Sequence, residues 1–103
     1  MDTRENIIKK VNDYKNLVVQ SKLLNNISQV YLFGSYAKGK QNDNSDIDVA
    51  FVVNDFNGDF FKIFTPIYRL TEKVDLRIEP HIIVPNEDYA GFYDEIKTTG
   101  ILI

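Results

Sequence analysis

The chain of 103 residues contains no cysteine and only one histidine. The lack of cysteine excludes disulfide frameworks, thiolate zinc sites and cysteine nucleophiles, and it is typical of proteins that work in a reducing cytoplasm. No stretch approaches the roughly 18 consecutive apolar residues of a membrane span, and charges interrupt the amino terminus where a signal peptide would be apolar. We therefore expect a cytoplasmic protein without a membrane segment.

Positive charge is also scarce. Lysine and arginine number 12 against 15 aspartates and glutamates, which gives a formal net charge of −3. Such a surface repels phosphodiester backbones, so general nucleic-acid binding is disfavoured. With 44% apolar residues the chain can fold, and its length suits one domain over residues 1–103.

The spacing of apolar residues predicts alternating helices and strands. Helical periodicity indicates helices from residue 2 or 3 to about 20, from 59 to about 70, and from 86 to about 98. Alternation predicts strands over 29–33, 46–53 and 73–79. Pro66 predicts a kink or two short pieces in the second helix, and Pro80 is expected to end the third strand, with HIIV continuing as a further strand after a bend. This order indicates a small mixed α/β domain.

Two aspartates stand directly before the apolar run VAFVV. Strand alternation places Asp46 and Asp48 on one face, roughly 6.5 to 7 Å apart at the backbone. Close carboxylates either share a proton or hold a cation, and oxygen ligands of this kind suit Mg²⁺ or Mn²⁺. An isolated D-x-D is more often a polar strand edge, but a third carboxylate, Asp75 or Glu79, lies on another predicted strand opposite an apolar face. Together the three favour a metal site.

A glycine and a serine precede the aspartates at the end of the first predicted strand. Gly34 can let a phosphate approach the backbone, and Ser35 can offer a hydroxyl and an amide to it. Ten residues separate Ser35 from Asp46, enough for a short helical turn and a return. The end of one strand and the start of its antiparallel neighbour are therefore predicted to face one pocket.

Two other binding loops are excluded. GSYAKGK satisfies the beginning of a P-loop, but Gln41 stands where a serine or threonine is needed, and the residues that follow would not sustain a long helix. A calcium loop of the D-x-D-x-D-G type fails because it lacks the glycine and the closing glutamate.

The segments LFGSYAKG, SDIDVAFVV and VDLRIEP together resemble the signature of the DNA polymerase β-like nucleotidyltransferase superfamily, and the chain is similar to its minimal nucleotidyltransferases. The resemblance extends from about Val30 to Glu79, and the flanking helices are compatible with it. It implies a small mixed β-sheet with helices packed mainly on one face. It also implies transfer of a nucleoside monophosphate, AMP from ATP, to an acceptor hydroxyl, with pyrophosphate leaving.

The resemblance also implies roles for individual residues. Gly34 and Ser35 would bind the triphosphate, while Asp46 and Asp48 would bind the metal ions, Mg²⁺ or Mn²⁺. A third carboxylate would complete one metal site and help deprotonate the acceptor. Asp75 is the better match because V-D-L is the usual setting, and Glu79 is the alternative.

Several other side chains are candidates for smaller roles. Arg77 is the favoured phosphate contact, since it shares a predicted strand face with Asp75 and Glu79. Further candidates for phosphate contacts are Lys38, Lys40 and Arg69. His81 has no evident partner and is predicted to be a structural or surface residue. Helical spacing predicts a core role rather than base stacking for an aromatic group, although one exposed member could hold adenine: Phe56, Phe60, Phe61, Phe64 and Tyr68.

The resemblance implies that the acceptor is a partner protein. Small members of this family often act on an all-helical HEPN toxin, which would make the chain an antitoxin. An alternative is a non-catalytic binding module that neutralises its partner by contact, and antibiotic modification is a weaker third interpretation. Apolar surface on the helices and the terminal ILI leave room for a homodimer or a partner.

Overall fold

Four α-helices and four β-strands form the part of the chain that the computed structural model describes, residues 3–42, 44–87 and 91–103. The helices are α1 (Arg4–Ser21), α2 (Ser35–Lys38), α3 (Phe60–Arg69) and α4 (Phe92–Thr99). The strands are β1 (Ile27–Phe33), β2 (Ile47–Val53), β3 (Ile78–Ile83) and β4 (Ile101–Leu102). Two short 3₁₀ turns, Leu70–Lys73 and Pro85–Glu87, flank β3.

The first helix follows the predicted apolar stripe. Thr3 caps it, because its hydroxyl oxygen accepts a hydrogen bond from the backbone N–H of Asn6 at 3.1 Å. Asp2, the other predicted start, lies outside the described residues. The helix buries the four side chains that helical spacing selects: Ile7, Val11, Tyr14 and Val18. Tyr14 also donates a hydrogen bond to the carbonyl of Ile67 at 2.7 Å, which ties α1 to α3.

The four strands form one mixed sheet in the order β3-β2-β1-β4. Strand β2 is antiparallel to β1 and parallel to β3, and β4 is antiparallel to β1. In this register Asp48 lies beside Phe33 on one side and beside Glu79 on the other. The end of β1 and the beginnings of β2 and β3 therefore meet at one end of the sheet.

Both faces of the sheet are covered, but unequally. Helices α1 and α3 pack on one face and close the main core, which contains Leu32, Val49 and Phe51. The alternate residues Tyr31, Phe33, Ala50 and Val52 point to the other face, where Ile96 of α4 forms a smaller core with them. The mixed α/β class with a mixed sheet is confirmed, and most of the helical cover lies on one face.

The strand predicted over 73–79 is wrong. Lys73 belongs to a 3₁₀ turn, the amide of Asp75 donates to the carbonyl of Thr71 at 2.9 Å, and β3 begins only at Ile78. Pro80 does not end the strand but lies inside it. An edge strand tolerates proline because its outer backbone groups have no ladder partner, and β3 is such an edge.

Two of the helices, α3 and α4, also differ from expectation. Helix α3 continues through Pro66 as one element rather than two pieces. The predicted last helix over 86–98 starts later, at Phe92, while 86 and 87 lie in a 3₁₀ turn and 88–90 fall outside the described residues. Gly100 ends this helix as predicted, and the apolar tail then pairs with β1. None of the described helices combines the length and the apolar character needed to cross a bilayer.

Candidate functional site

A close contact between Gly34 and Asp48 joins the first two strands at the site. Gly34 follows β1 with φ 74° and ψ −150°, a conformation available in practice only to glycine. A Cβ atom built on Gly34 would fall on the Oδ2 atom of Asp48. The predicted proximity of the end of β1 and the start of β2 is confirmed, and both the backbone conformation and the lack of space for a Cβ atom require glycine at position 34.

Three acidic side chains gather at this end of the sheet. Asp48 and Glu79 are neighbours on the parallel strands β2 and β3, and the Glu79 carboxyl is close enough to that of Asp46 to form a hydrogen bond when one of the two is protonated. Together these three form the carboxylate cluster, Asp46, Asp48 and Glu79. Two of the predicted residues, Asp46 and Asp48, are thus brought to the same place as the alternative third carboxylate.

Crowding changes the acidity of the cluster. The pKa of Glu79 is raised, first by partial desolvation of its carboxyl, next by the hydrogen bond to Asp46 and then by the negative charge of Asp48. Nearby His81 acts in the opposite direction. Much of the Glu79 side chain is exposed, so these effects act at the mouth of a cleft rather than in the core. The negative charges of Asp46 and Asp48 therefore act on Glu79 at the mouth of the cleft.

His81 stands beside the cluster, which corrects the prediction of a structural or surface residue without a partner. Its Nε2 atom lies 3.4 Å from Oδ1 of Asp48. One ligand atom from each of Asp48, Glu79 and His81 lies within 4.8 Å of the others. Strand alternation could have found this residue, because positions 79 and 81 share a face. The signal was missed because Pro80 was interpreted as the end of the strand.

Asp75 occupies a different environment. Its carboxylate accepts hydrogen bonds from Lys10 Nζ at 2.9 Å, from Arg77 Nη2 at 2.7 Å and from Arg77 Nε at 3.0 Å. Within the described ranges, Asp75 is not part of the group of potential metal ligands that contains Asp48 and Glu79. These cationic hydrogen bonds hold the pKa of Asp75 well below its usual range, because Arg77 stabilises the charged form.

Replacing Asp75 with asparagine is expected to lower the free energy of unfolding by about 2 kcal/mol at pH 7, since Arg77 and Lys10 lose a partly buried charged acceptor. The folded-state pKa lies below the unfolded value of about 3.9, so this stabilisation is complete above that value and is lost as the pH falls. The free energies of unfolding of the wild type and Asp75→Asn, measured with urea, should therefore converge as the pH falls from about 5 to about 2.

Asp94→Asn is the matched control for that comparison. The Asp94 side chain is 82% exposed in its pair with Lys97, so its loss should change stability little at any pH. If the free energy of unfolding fell equally in Asp75→Asn and Asp94→Asn at pH 7, the ion pairs of Asp75 would not stabilise the fold as proposed.

The predicted cationic contacts fall into two groups. Arg77 lines the cleft next to the cluster, and its Nη1 donates to the hydroxyl of buried Tyr36 at 3.1 Å. Lys38 instead approaches Glu95 of α4 at 3.5 Å, on the exposed surface. Lys40 and Arg69 are exposed. Of the four candidates, Arg77 is the one that the structure places both at the cleft and in a fixed position.

A cleft of about 640 Å³ opens beside the cluster, a volume within the usual range of small-ligand sites. Asp46, Glu79 and His81 line one part of it, and side chains of α3 line another. The core assignment of the aromatic group is wrong for three members, Phe60, Phe61 and Tyr68, which no described element covers and which are exposed. Phe60 stacks on Phe64 with ring centroids 5.3 Å apart, at the wall of the cleft.

The donor set fits a divalent cation. Carboxylate oxygens suit Mg²⁺ and Mn²⁺, and an imidazole nitrogen adds a ligand that first-row transition ions accept readily. A cation would relieve the repulsion that raises the pKa of Glu79. Asp48, Glu79 and His81 are the described side chains whose ligand atoms lie close enough together to hold one, and Asp46 is next to Glu79 beside them.

Comparison with known proteins gives a consistent family match. The family model described as "Polymerase beta, Nucleotidyltransferase" matches residues 5–103. A protein of Methanocaldococcus jannaschii named "Putative protein adenylyltransferase" is 31% identical over 97 residues, which span 92% of this chain and 96% of that protein.

Solved structures share the fold. A crystal structure titled as a "putative nucleotidyltransferase" from Sulfolobus solfataricus has a TM-score of 0.58 at 24% identity, covering 99% of this chain and 87% of that one. A toxin-antitoxin structure with AMP-PNP has a TM-score of 0.59 at 22% identity, covering 98% and 72%. A toxin-antitoxin mutant, MntA-HpeT, has a TM-score of 0.58 at 20% identity over the same shares.

Proposed function

Because the chain belongs to the polymerase β nucleotidyltransferase family, we propose that it transfers AMP from ATP to a hydroxyl group on a partner protein. The observation that carries the proposal is the convergence of Asp46, Asp48 and Glu79 beside Gly34, at the mouth of a cleft large enough for a nucleotide. The name of the archaeal relative, a protein adenylyltransferase, supports the proposed donor group and acceptor class.

The residues divide the chemistry between them. Asp46, Asp48 and Glu79 would hold Mg²⁺ or Mn²⁺, which when bound supplies positive charge to the phosphates and the departing pyrophosphate. Gly34 makes room for Asp48 at the end of β1, and Ser35 would offer its amide and hydroxyl to the triphosphate. Arg77, fixed by Asp75 and Tyr36, adds a guanidinium at the cleft wall.

The transfer exchanges one phosphorus–oxygen bond for another. The acceptor oxygen forms a bond to the α-phosphorus, the bond from that phosphorus to the bridging oxygen breaks, and pyrophosphate leaves. The proton of the acceptor hydroxyl goes to a carboxylate of the cluster. Glu79, which lines the cleft, would be the carboxylate that receives it.

We assign the third metal-holding carboxylate to Glu79 rather than Asp75. Glu79 is adjacent to Asp48 on the neighbouring strand, whereas the oxygens of Asp75 are engaged by Arg77 and Lys10. Mn²⁺ should raise the melting temperature of the wild-type protein by binding the folded state. We expect that increment to be largely lost in Glu79→Gln and retained in Asp75→Asn, measured by thermal denaturation with and without Mn²⁺. The reverse pattern would return the role to Asp75.

We further propose that the acceptor belongs to an all-helical partner of the HEPN type, with the chain as its antitoxin. Two structures that share the fold are toxin-antitoxin structures, and one of them contains AMP-PNP, an ATP analogue. The MntA-HpeT mutant carries two aspartate-to-glutamate changes two positions apart, which is the spacing of Asp46 and Asp48 here.

The test is a transfer assay with ATP labelled at the α-phosphate. The purified chain is incubated with Mg²⁺ or Mn²⁺ and with a candidate helical protein of the HEPN type, and proteins are then separated and autoradiographed. Label should appear on the partner, together with released pyrophosphate. ATP labelled at the γ-phosphate is the matched control and should leave the partner unlabelled. A partner that stays unlabelled by the α-phosphate label, or that takes up the γ-phosphate label, would contradict the proposed reaction.

A second candidate function is inhibition of a partner by contact alone. The observation that favours it is the exposed aromatic surface of α3, where Phe61 is 74% exposed and Phe60 and Tyr68 are also exposed. The two functions separate when Asp48→Asn is tested for neutralisation of the partner in cells. A contact inhibitor remains fully active in this variant, whereas an adenylyltransferase does not.

A further inference from the structure

We propose that His81 is a direct ligand of the divalent cation held by Asp48 and Glu79, and that its nitrogen gives the site a preference for Mn²⁺ over Mg²⁺. The inference rests on the proposed metal-dependent function and names a ligand beyond the carboxylates of the family signature. His81 is the only histidine in the chain, so the proposal concerns one identifiable imidazole.

The first argument is the position of the donor atoms. Neighbouring ligands of an octahedral ion are about 3 Å apart when each bond is about 2.1 Å, and opposite ligands are about 4.2 Å apart. His81 Nε2 lies 3.4 Å from Oδ1 of Asp48, and donor atoms of Asp48, Glu79 and His81 all lie within 4.8 Å of one another. One ion can therefore bind all three after small adjustments of the side chains.

The second argument is that the imidazole ring is held in place. Phe33 meets it edge to face with centroids 5.0 Å apart, and Phe92 of α4 does so at 6.3 Å. Both aromatic rings belong to the smaller core, and the strand β3 fixes the backbone of His81 between Pro80 and Ile82. Since packing already orients the ring toward Asp48, little ordering is needed when a cation binds.

The third argument is the chemistry of the donor. Mg²⁺ prefers oxygen ligands and exchanges its waters reluctantly, whereas Mn²⁺ and later first-row ions accept imidazole nitrogen more readily. A site with carboxylates alone would bind Mg²⁺ through the same contacts as Mn²⁺. Adding His81 should shift the balance toward the ion that uses the nitrogen.

Pulsed electron paramagnetic resonance of the Mn²⁺-loaded protein tests direct ligation. The wild-type protein should show a ¹⁴N coupling of a bound imidazole, and selective labelling with ¹⁵N-histidine should replace it with a ¹⁵N coupling without any change to the protein. His81→Asn should abolish the coupling and weaken Mn²⁺ binding at least about tenfold in a titration, with a smaller effect on Mg²⁺.

The possible outcomes distinguish the role of His81 from the metal-dependent function on which it rests. Mn²⁺ binding without a histidine coupling would overturn the role of His81 as a ligand and leave the proposed metal-dependent function standing. No binding of either Mn²⁺ or Mg²⁺ by the wild-type protein would overturn both. Equal weakening of Mn²⁺ and Mg²⁺ in His81→Asn would overturn the metal preference, and circular dichroism of the variant excludes unfolding as the cause.

Discussion

Asp48→Asn is expected to reduce AMP transfer about 10³-fold or more while leaving the fold intact. Asp48 lies at the centre of the cluster, because it is adjacent to Glu79, contacts His81 and fills the space above Gly34. Asparagine keeps the shape of the side chain and removes its charge, so the loss would reflect charge rather than packing. The assay with ATP labelled at the α-phosphate measures the rate, and a metal titration should show a parallel loss of Mn²⁺ binding.

The stability of this variant provides the internal check. Asp48 is surrounded by other carboxylates, so removing its charge relieves repulsion, and the melting temperature of the metal-free protein should stay equal or rise. Asp13→Asn, on an exposed position of α1 across the sheet, is the matched carboxylate control and should transfer AMP normally. Full activity in Asp48→Asn would refute the assignment of the cluster as the catalytic site.

Gly34→Ala should lower both the stability of the fold and the rate of AMP transfer. Alanine is strained at φ 74° and ψ −150°. This strain should lower the free energy of unfolding by about 1–3 kcal/mol and the melting temperature by roughly 5 to 20 °C. The added methyl group also falls on the carboxylate of Asp48, so either the strand end or the aspartate must move. Transfer should therefore fall to the level of Asp48→Asn even at a temperature where the variant remains folded.

Gly39→Ala separates these effects. Gly39 also has a positive φ, 72°, but among the described residues no heavy atom lies within 4 Å of a Cβ built there. Alanine at this position should cost about 1 kcal/mol and leave the rate of transfer nearly unchanged. If both variants lost activity to the same extent, general destabilisation rather than displacement of Asp48 would explain the result.

Local patterns in the sequence predicted much of this molecule. Helical spacing identified the buried face of α1, and alternation identified β2 with Asp48 near its start. The glycine and serine after β1, ten residues before Asp46, predicted that two strand ends face one pocket. These signals are local, because each depends on the positions of side chains along one continuous element.

The third carboxylate and the histidine could not be assigned in the same way. The sequence offered Asp75 and Glu79 on one supposed strand, and V-D-L favoured Asp75. In the fold the strand begins at Ile78, so Asp75 turns toward Lys10 on α1 while Glu79 pairs with Asp48. Pro80 was interpreted as a boundary because proline interrupts internal strands, and only the sheet order shows that β3 is an edge.

The sequence by itself determined the class of the fold, the glycine turn and the aspartate pair, since these depend on short-range periodicity and on the conformations that individual residues allow. The tertiary structure decided which distant groups share the cluster and which form ion pairs elsewhere. The reason is physical: the parallel register of β2 and β3 sets the neighbours of Asp48, and that register pairs residues about 30 positions apart in the chain, which no local pattern specifies.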